Sequence, residues 1–228
     1  MGILDMFIKK KKVEEPYVPF SIIKTSKGDF EDFSQRLLKG SNIVLITGKR
    51  GSGKTALGMK FLEMFRKMSK RRVFAMGFES AKLPSGIKKV SSIDEIPNNG
   101  IALLDEGAVI FSSRESMKSS NKELGKIMAI ARHKNLSLIL ITQNSAMIDL
   151  NVLRLADTIV LKEPSLLQAK FERKAIKDMY ESVAIHFKEL KNKKAHFYMM
   201  DDEFEGLVNY SLPEFWNESI SKSFKDIK

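Results

Sequence analysis

The stretch NIVLITGKRGSGKT, residues 42–55, decides the fold of this 228-residue chain. Its first six residues are a continuous apolar run, which is typical of a parallel strand buried on both faces. Glycines and short polar residues follow, and over residues 55–68 apolar side chains recur at helical spacing. The sequence therefore predicts a buried strand, a glycine-rich turn and a helix in immediate succession.

The turn GKRGSGKT, residues 48–55, has the spacing of a phosphate-binding loop. Its three glycines let backbone N–H groups point inward at phosphate oxygens, and the following helix adds its positive end. Lys54 would supply a point charge to the β- and γ-phosphates, and the Thr55 hydroxyl would ligate Mg²⁺. We therefore expect ATP and Mg²⁺ as cofactors. The residues expected to bind the nucleotide are Gly48, Lys49, Arg50, Gly51, Ser52, Gly53, Lys54 and Thr55.

A second motif, IALLDE at residues 101–106, delivers two acids at the end of an apolar strand. Open α/β sheets bind ligands at the carboxyl ends of their strands. Asp105 is expected to hold the magnesium ion, usually through a bound water, and Glu106 to polarise the attacking water. An acid pair alone is a weak signal, but this one follows Lys54 by about fifty residues, with one further predicted strand at 73–77 between them.

A third motif, SLILITQ at residues 137–143, ends a predicted central strand in a polar pair. We expect this strand to lie beside the strand that precedes the loop, so that Gln143 contacts the γ-phosphate or the attacking water. The alternative is that Gln143 only ends the strand and caps the next turn.

The rest of the pattern alternates apolar strands with helices, which predicts an α/β fold with a mainly parallel sheet covered on both faces. A further strand is expected at 158–161, helices at 29–38, 121–132 and 165–191, a loop at 81–99, and a C-terminal hairpin from 196–200 and 207–210. Residues 1–40 are interpreted as a basic arm and approach segment, and 41–228 as a single domain with a helix and hairpin extension.

Composition limits the classes of partner and compartment. The formal net charge of +11 favours a polyanion such as nucleic acid or an anionic membrane surface, although a lysine-rich soluble surface would give the same value. The absence of cysteine suits a reducing cytoplasm. No apolar run approaches the roughly 20 residues that cross a bilayer, so we expect no integral membrane segment.

Together, IALLDEGAVIFSSR (101–114) and ARHKNLSLILITQN (131–144) resemble the FtsK–HerA superfamily of DNA pumps, and within it the viral genome-packaging and zonula occludens toxin-like ATPases. The resemblance covers roughly residues 40–162. It implies a P-loop NTPase fold of the RecA-like type with an additional central strand and a catalytic glutamate (ASCE), arranged as a three-layer sandwich.

The resemblance also implies a homo-oligomeric ring, often a hexamer, that drives double-stranded DNA through a channel without reading its sequence. A neighbouring subunit would donate an arginine to the γ-phosphate. Arg132 matches the expected basic position, with Arg114 and Arg154 as further candidates, although Arg132 could instead be a cation at a helix C-terminus. For a virus, the partner would be a capsid or portal-like protein, and the location the host cytoplasm or the virion.

Basic clusters are candidate DNA contacts, although lysine-rich faces are usually only solvated. The polar loop 112–122 could face a ring's channel, whereas Phe215 and Trp216 are interpreted as a packing anchor. The first cluster contains Arg66, Lys67, Lys70, Arg71 and Arg72, and the second contains Lys170, Arg173, Lys174, Lys177, Lys188, Lys191, Lys193 and Lys194.

The leading hypothesis is an ATP-driven DNA translocase, most specifically a viral genome-packaging ATPase. Three alternatives remain open. One is a RecA-like recombinase or helicase, which would prefer single-stranded DNA. Another is a secretion, conjugation or phage-assembly ATPase at a membrane. The third is a non-catalytic assembly protein that uses ATP only as a gate.

Overall fold

The computed structural model describes residues 16–105, 117–142, 150–165, 169–170 and 174–222. Nine strands are present in these residues: β1 (Ser21–Gly28), β2 (Ile43–Thr47), β3 (Val73–Met76), β4 (Ile87–Val90), β5 (Ile101–Asp105), β6 (Ser137–Ile141), β7 (Thr158–Leu161), β8 (His196–Met200) and β9 (Phe204–Asn209). The helices are α1 (Phe30–Lys39), α2 (Lys54–Met68), α3 (Met117–His133), α4 (Leu150–Leu155), α5 (Lys174–Phe187) and α6 (Glu218–Lys222), with 3₁₀ turns at Ile93–Glu95 and Lys193–Ala195.

The described strands form one sheet in the order β1-β9-β8-β7-β2-β6-β5-β3-β4. The six strands from β7 to β4 are parallel to one another, and β8, β9 and β1 extend the sheet in antiparallel pairs. The loop strand β2 and the acid strand β5 are therefore separated by β6. This arrangement confirms that the strand ending in Thr142 lies beside the strand that leads into the glycine-rich loop.

Helices cover both faces of the parallel strands, as the strand β2 illustrates. Ile43 and Leu45 join one core cluster, which also contains side chains of α3, α4 and α5. Val44 and Ile46 point to the other face and join a cluster with side chains of α1, α2 and α6. Successive side chains of a strand point to opposite faces, so a strand between two helical layers is apolar throughout. The predicted three-layer sandwich is confirmed.

The N-terminal approach segment contributes two elements to this domain. The predicted helix is present as α1, where Asp29 accepts a hydrogen bond from the Glu31 backbone N–H at 2.7 Å and Gly40 ends the helix. The strand β1 was not expected from the sequence. It lies at the edge of the sheet, paired with β9, and all eight of its residues are exposed. A strand without a buried face has no apolar alternation by which to recognise it.

Two further boundaries differ from the sequence expectation. The predicted loop at 81–99 contains the short edge strand β4, whose central lysines Lys88 and Lys89 interrupt its apolar pattern. The predicted helix at 165–191 is described as α5 over Lys174–Phe187 only. The C-terminal hairpin is confirmed as β8 and β9. No helix in the described part of the chain is long and apolar enough to cross a membrane.

Candidate functional site

The glycine-rich loop leaves β2 at its carboxyl end and opens directly into α2. Gly53, the residue before the helix, has φ of 92°, a left-handed conformation that favours glycine. It offers no side-chain cap to the helix, and the first turn of α2 contains no acidic residue. Uncapped backbone N–H groups and the positive end of the helix dipole are therefore directed at the loop, which is the arrangement that binds phosphate.

The Lys54 side chain lies inside this loop. It is only 4% exposed, and its Nζ donates to the backbone oxygens of Gly48 at 2.8 Å and Lys49 at 3.0 Å. Within the described residues, the Ser52 hydroxyl is also buried and has no hydrogen-bond partner. A buried ammonium group and a buried hydroxyl that lacks a partner fit an oxygen-rich anion, because such groups are costly to desolvate without one. The loop residues therefore fit the triphosphate expected from the sequence.

Asp105 ends β5 and is buried, with 2% exposure. Asp105 is paired in register with Ile141 of β6, which is in turn paired with Ile46 of β2. Strands are spaced by about 4.8 Å, so Asp105 lies about 10 Å across the sheet from the strand that leads into the loop. The second motif thus reaches the same edge of the sheet as the loop, as the sequence predicted.

Close packing of α2 brings its first turn near that edge. A Cβ on Gly58 would lie 2.7 Å from Leu103 Cδ1 and 2.8 Å from Ile141 Cδ1, so glycine allows the helix to approach β5 and β6. Gly58 follows Thr55 by less than one helical turn. The expected magnesium ligands, Thr55 and Asp105, therefore belong to elements in direct contact.

Several predicted site residues lie outside the described residues: Glu106, Gln143 and Arg114. The residue before Gln143 is described. Thr142 is 7% exposed, and its backbone N–H donates to the Ile46 oxygen of β2 at 3.0 Å. The strand that leads to Gln143 is thus fixed beside the loop strand. The catalytic role of Glu106 and the sensor role of Gln143 stay predictions.

Arg132 lies at the opposite edge of the sheet, before the start of β6. Its side chain is half exposed and donates to the Leu155 backbone oxygen at 3.1 Å, with Asp157 at 3.8 Å. The five-residue strand β6 spans about 16 Å, so Arg132 cannot act at the loop of its own chain. Arg154, at the end of α4, precedes β7 at this same edge. An arginine finger from either residue would have to serve another subunit, and that role stays a prediction.

The predicted basic clusters differ in what they contact. In the first cluster, Arg71 donates to backbone oxygens of four residues and to the Ser137 hydroxyl, and burial lowers its pKa. Arg66 and Lys67 lie 3.9 and 3.4 Å from the Glu214 carboxylate. Three of these five cations therefore have structural contacts. In the second cluster, five described side chains are exposed: Lys170, Lys174, Lys188, Lys191 and Lys194. The other two described lysines, Lys177 and Lys193, are only partly exposed and pair with Glu181 and Glu163.

The interpretation of Phe215 and Trp216 as a packing anchor is confirmed, because both pack against the core cluster that contains α2.

Sequence reasoning missed the residue that follows β7. Lys162 is fully buried beside the loop, and burial lowers its pKa to about 7, with the positive charge of Lys54 acting in the same direction and Glu163 opposing it. A lysine directly after an apolar strand, at the edge where ligands bind, was the only available signal. Its neighbour Glu163 forms ion pairs with Lys49 at 2.6 Å and with Lys193 at 3.2 Å. Although burial opposes ionisation, these lysines lower the pKa of Glu163.

The fold, the loop and the acid at the neighbouring strand end define a P-loop nucleoside triphosphatase. A family profile described as Novel STAND NTPase 3 matches residues 28–162. Because the match spans more than half of the sequence, the chain belongs to this family. Comparison with curated proteins gave no match.

Solved structures show the same fold. The coupling protein TcpA from pCW3 conjugation, determined with ATPγS, has a TM-score of 0.55 and 12% identity over 82% of this chain and 65% of its own. The present chain thus spans slightly less than two thirds of that protein's structure. The genome-packaging NTPase B204 from Sulfolobus turreted icosahedral virus 2, determined with ATPγS, has a TM-score of 0.53 and 17% identity over 75% of this chain and 98% of its own. Together with the family match, these structures confirm the predicted P-loop NTPase fold.

Proposed function

We propose that this chain binds ATP with Mg²⁺ at the glycine-rich loop and hydrolyses it. The observation on which the proposal depends is the buried Lys54 ammonium inside a loop whose helix start is uncapped, with the buried Asp105 two strands away. The nucleotide analogues bound to B204 and TcpA support ATP as the ligand.

Each residue has a defined part in this reaction. Lys54 and the N–H groups of the loop bind and orient the triphosphate. Thr55 would hold Mg²⁺ directly and Asp105 through a water; when bound, the ion neutralises charge that develops on the phosphate oxygens. Glu106 accepts a proton from the attacking water or polarises it, and Gln143 orients that water or contacts the γ-phosphate.

We further propose that hydrolysis moves double-stranded DNA through a homo-oligomeric ring, most specifically into a capsid through a portal-like protein. The net charge of +11 and the exposed lysines of the second cluster support a polyanionic partner. The likeness to a genome-packaging NTPase and a conjugation coupling protein agrees with this class of work. Arg132 would complete the active site of the neighbouring subunit, in the cytoplasm where the ring assembles.

The hydrolysis proposal is tested with Lys54→Ala and Glu106→Gln. Lys54→Ala is expected to lose ATP binding, because it removes the cation inside the loop. Glu106→Gln is expected to keep ATP binding and to lose kcat by about 10²–10⁴-fold, the range for general acid–base groups. The surface variant Lys39→Met, which removes a charge from an exposed helix end, should change neither. Unchanged ATP turnover in Lys54→Ala would overturn the proposal.

The motor proposal is tested by two measurements: the rate of ATP hydrolysis with and without duplex DNA at low salt, and the molecular mass in solution with and without ATP and DNA. We expect ATP and DNA to promote a ring and duplex DNA to stimulate hydrolysis. Arg132→Ala subunits mixed with wild type should reduce turnover more than in proportion to their fraction, because each also impairs a neighbour. If the protein stays monomeric and duplex DNA does not stimulate hydrolysis, the motor proposal is overturned, whereas the proposed nucleotide site is not affected. A preference for single-stranded DNA would favour a recombinase or helicase instead.

A second candidate is an ATP-gated assembly protein. The family match names an NTPase and covers the nucleotide domain, a description that an ATP-gated protein also fits. Under this alternative, Glu106→Gln would retain full assembly and partner binding. Under the motor proposal it would retain only ATP binding.

A further inference from the structure

A buried lysine outside the expected motif lies against the glycine-rich loop. Lys162 follows β7, and its Nζ donates to the backbone oxygens of Lys194 at 2.7 Å and His196 at 2.6 Å. Its backbone N–H donates to the Thr47 oxygen at 2.8 Å. A Cβ on Gly48 would lie 2.8 Å from the Lys162 Cβ, so the loop and this lysine are in close contact.

Tyr210 connects this lysine to the loop. Its hydroxyl lies 3.3 Å from Lys162 Nζ and donates to the Gly53 backbone oxygen at 3.1 Å. The Lys162 ammonium also lies 4.6 Å from the centre of the tyrosine ring, a cation–π distance. Burial raises the pKa of Tyr210, so the hydroxyl remains a donor. The result is a chain of contacts from the hairpin of β8 and β9, through Lys162 and Tyr210, to Gly53, the residue before α2.

Two backbone hydrogen bonds fix the other end of the loop. Besides the bond from Lys162 to Thr47, the Lys49 N–H donates to the Glu163 oxygen at 3.0 Å. The loop is therefore attached at its start to residues 162 and 163, and at its end to Tyr210. Tyr210 and the hairpin lie beyond residue 162, where the family match ends.

One cation and one carboxylate act on the charge of Lys162. Lys54 of α2 opposes its ionisation, and Glu163 of its own segment favours it. That carboxylate is already paired with Lys49 of the loop and Lys193 of the 3₁₀ turn. Lys194 and His196 contribute backbone oxygens, and the His196 imidazole is directed at Asn192 and Asn209. None of the hydrogen bonds described for the Lys162 amine is donated to a carboxylate.

We propose that Lys162 and Tyr210 are positioning residues for nucleotide binding: they brace the glycine-rich loop against the C-terminal hairpin and place a second buried positive charge beside it for the triphosphate. This proposal rests on the proposed ATP binding at the loop. A bound polyanion stabilises the protonated form of Lys162, and the protonated form in turn strengthens binding, since the two effects are linked. The hydroxyl bond to Gly53 keeps the end of the loop in place before the ligand arrives, which lowers the ordering cost of binding.

The first experiment measures the Kd of ATP by calorimetry for wild type, Lys162→Met and Tyr210→Phe. We expect weakening by about 10-fold for Lys162→Met at pH 6.5, which loses the charge, and by about 3-fold for Tyr210→Phe, which loses one hydrogen bond. Tyr198→Phe is the matched control, because its hydroxyl binds Ser26 and Glu205 and has no described bond to the loop, Lys162 or Tyr210. Lys39→Met controls for net charge. Equal affinities in all five proteins would overturn the inference.

The second experiment measures the same affinities from pH 6 to pH 9. The Lys162 pKa of about 7 in the free protein rises when the triphosphate binds, so its contribution is complete below pH 7 and is lost as the pH rises above it. The ratio of wild-type to Lys162→Met affinity cancels the titration of ATP itself and should fall toward 1 at high pH. A ratio that does not change with pH would show that Lys162 is only structural.

Both experiments separate this inference from the ATP-binding proposal. Lys54→Ala shows the ATP affinity that remains when the nucleotide site is lost. If wild type itself does not bind ATP, the proposed function is overturned. If wild type binds ATP and Tyr210→Phe binds it equally well, only the proposed bracing of the loop by Tyr210 is overturned. If Lys162→Met does not fold, the affinity of Tyr210→Phe relative to that of its control Tyr198→Phe decides the question.

Discussion

Arg36 and Lys162, two cations at opposite ends of the parallel sheet, have different kinds of partner. At the amino ends of the strands, Arg36 is bonded to the carboxylates of Asp201 and Glu203, at 2.6 and 2.8 Å. At the carboxyl ends, the Lys162 amine is bonded to backbone oxygens and a tyrosine hydroxyl, and Lys54 lies nearby in the loop. Buried charge is costly unless it is matched. The charge of Arg36 is therefore matched within the chain, whereas the charges of Lys162 and Lys54 fit an anion that comes from outside the chain.

The largest expected difference is in how stability depends on pH. Lys162 has a pKa of about 7 in the folded protein against 10.5 in a model peptide. Between these values the unfolded chain binds more protons, so the free energy of unfolding of wild type should rise with pH. The slope approaches about 1.4 kcal/mol per pH unit, or about 4 kcal/mol over the window. Urea unfolding at pH 7 to 10 measures it.

The matched variants for this measurement are Lys162→Met and Lys39→Met. The first should lack the rise, because it has no amine to titrate, and the second should keep it. A parallel pH dependence in all three proteins would mean that Lys162 is not held at a cost to stability, and the contrast between the two ends of the sheet would disappear.

The next largest effect concerns the ion pair at the amino ends. Asp201→Ala removes the carboxylate that holds Arg36 and that accepts a hydrogen bond from the Thr158 hydroxyl. The free energy of unfolding should fall by about 3 kcal/mol, because the half-buried guanidinium keeps only one of its two carboxylates and the buried Thr158 hydroxyl loses its acceptor. The Kd of ATP, measured where the variant is folded, should stay within about 2-fold of wild type, because the ion pair lies at the edge opposite the loop. A large loss of ATP affinity would show that the two ends are coupled.

Neighbouring residues of the first basic cluster provide a smaller test. Arg71→Ala should lower the free energy of unfolding by about 2 kcal/mol, because backbone oxygens of Gly40 and Gly100 lose a charged donor. The adjacent Lys70 is exposed, and Lys70→Ala should change stability by less than about 0.5 kcal/mol. Thermal unfolding of both variants gives the comparison, and equal losses would contradict the structural role of Arg71.

The sequence predicted the parallel part of this fold well because its signals are local. The strands β2, β5 and β6 are buried on both faces and therefore apolar throughout, and the loop between β2 and α2 has a spacing fixed by its chemistry. The pairing of β6 with β2 followed from the resemblance to ATPases with an additional central strand. These features placed Lys54 and Asp105 correctly at one edge of the sheet.

What the sequence did not predict depends on contacts between distant segments. The strand β1 is recognised only by its pairing with β9, about 180 residues further along the chain. Arg71 and Lys70 are adjacent cations in the sequence. Only the fold shows that Arg71 bonds backbone oxygens of distant segments whereas Lys70 is exposed to solvent. Lys162 was missed for the same reason, because its partners are contributed by a hairpin more than 30 residues later.

The smallest expected effect is on DNA binding, and it tests which of the two basic clusters contacts DNA. Neutralising Lys174, Lys188 and Lys191 together, each to Gln, should weaken binding to duplex DNA and reduce the slope of log K against log salt by about 0.9 for each phosphate that these lysines neutralise. The double change Arg66→Gln and Lys67→Gln removes two charges that face Glu214, so it should leave the slope almost unchanged. Binding is measured by fluorescence anisotropy over a range of about 50 to 200 mM salt. If the double variant lowers the slope and the triple variant does not, the DNA path lies on α2, and exposure of a lysine is not the property that selects a phosphate contact in this protein.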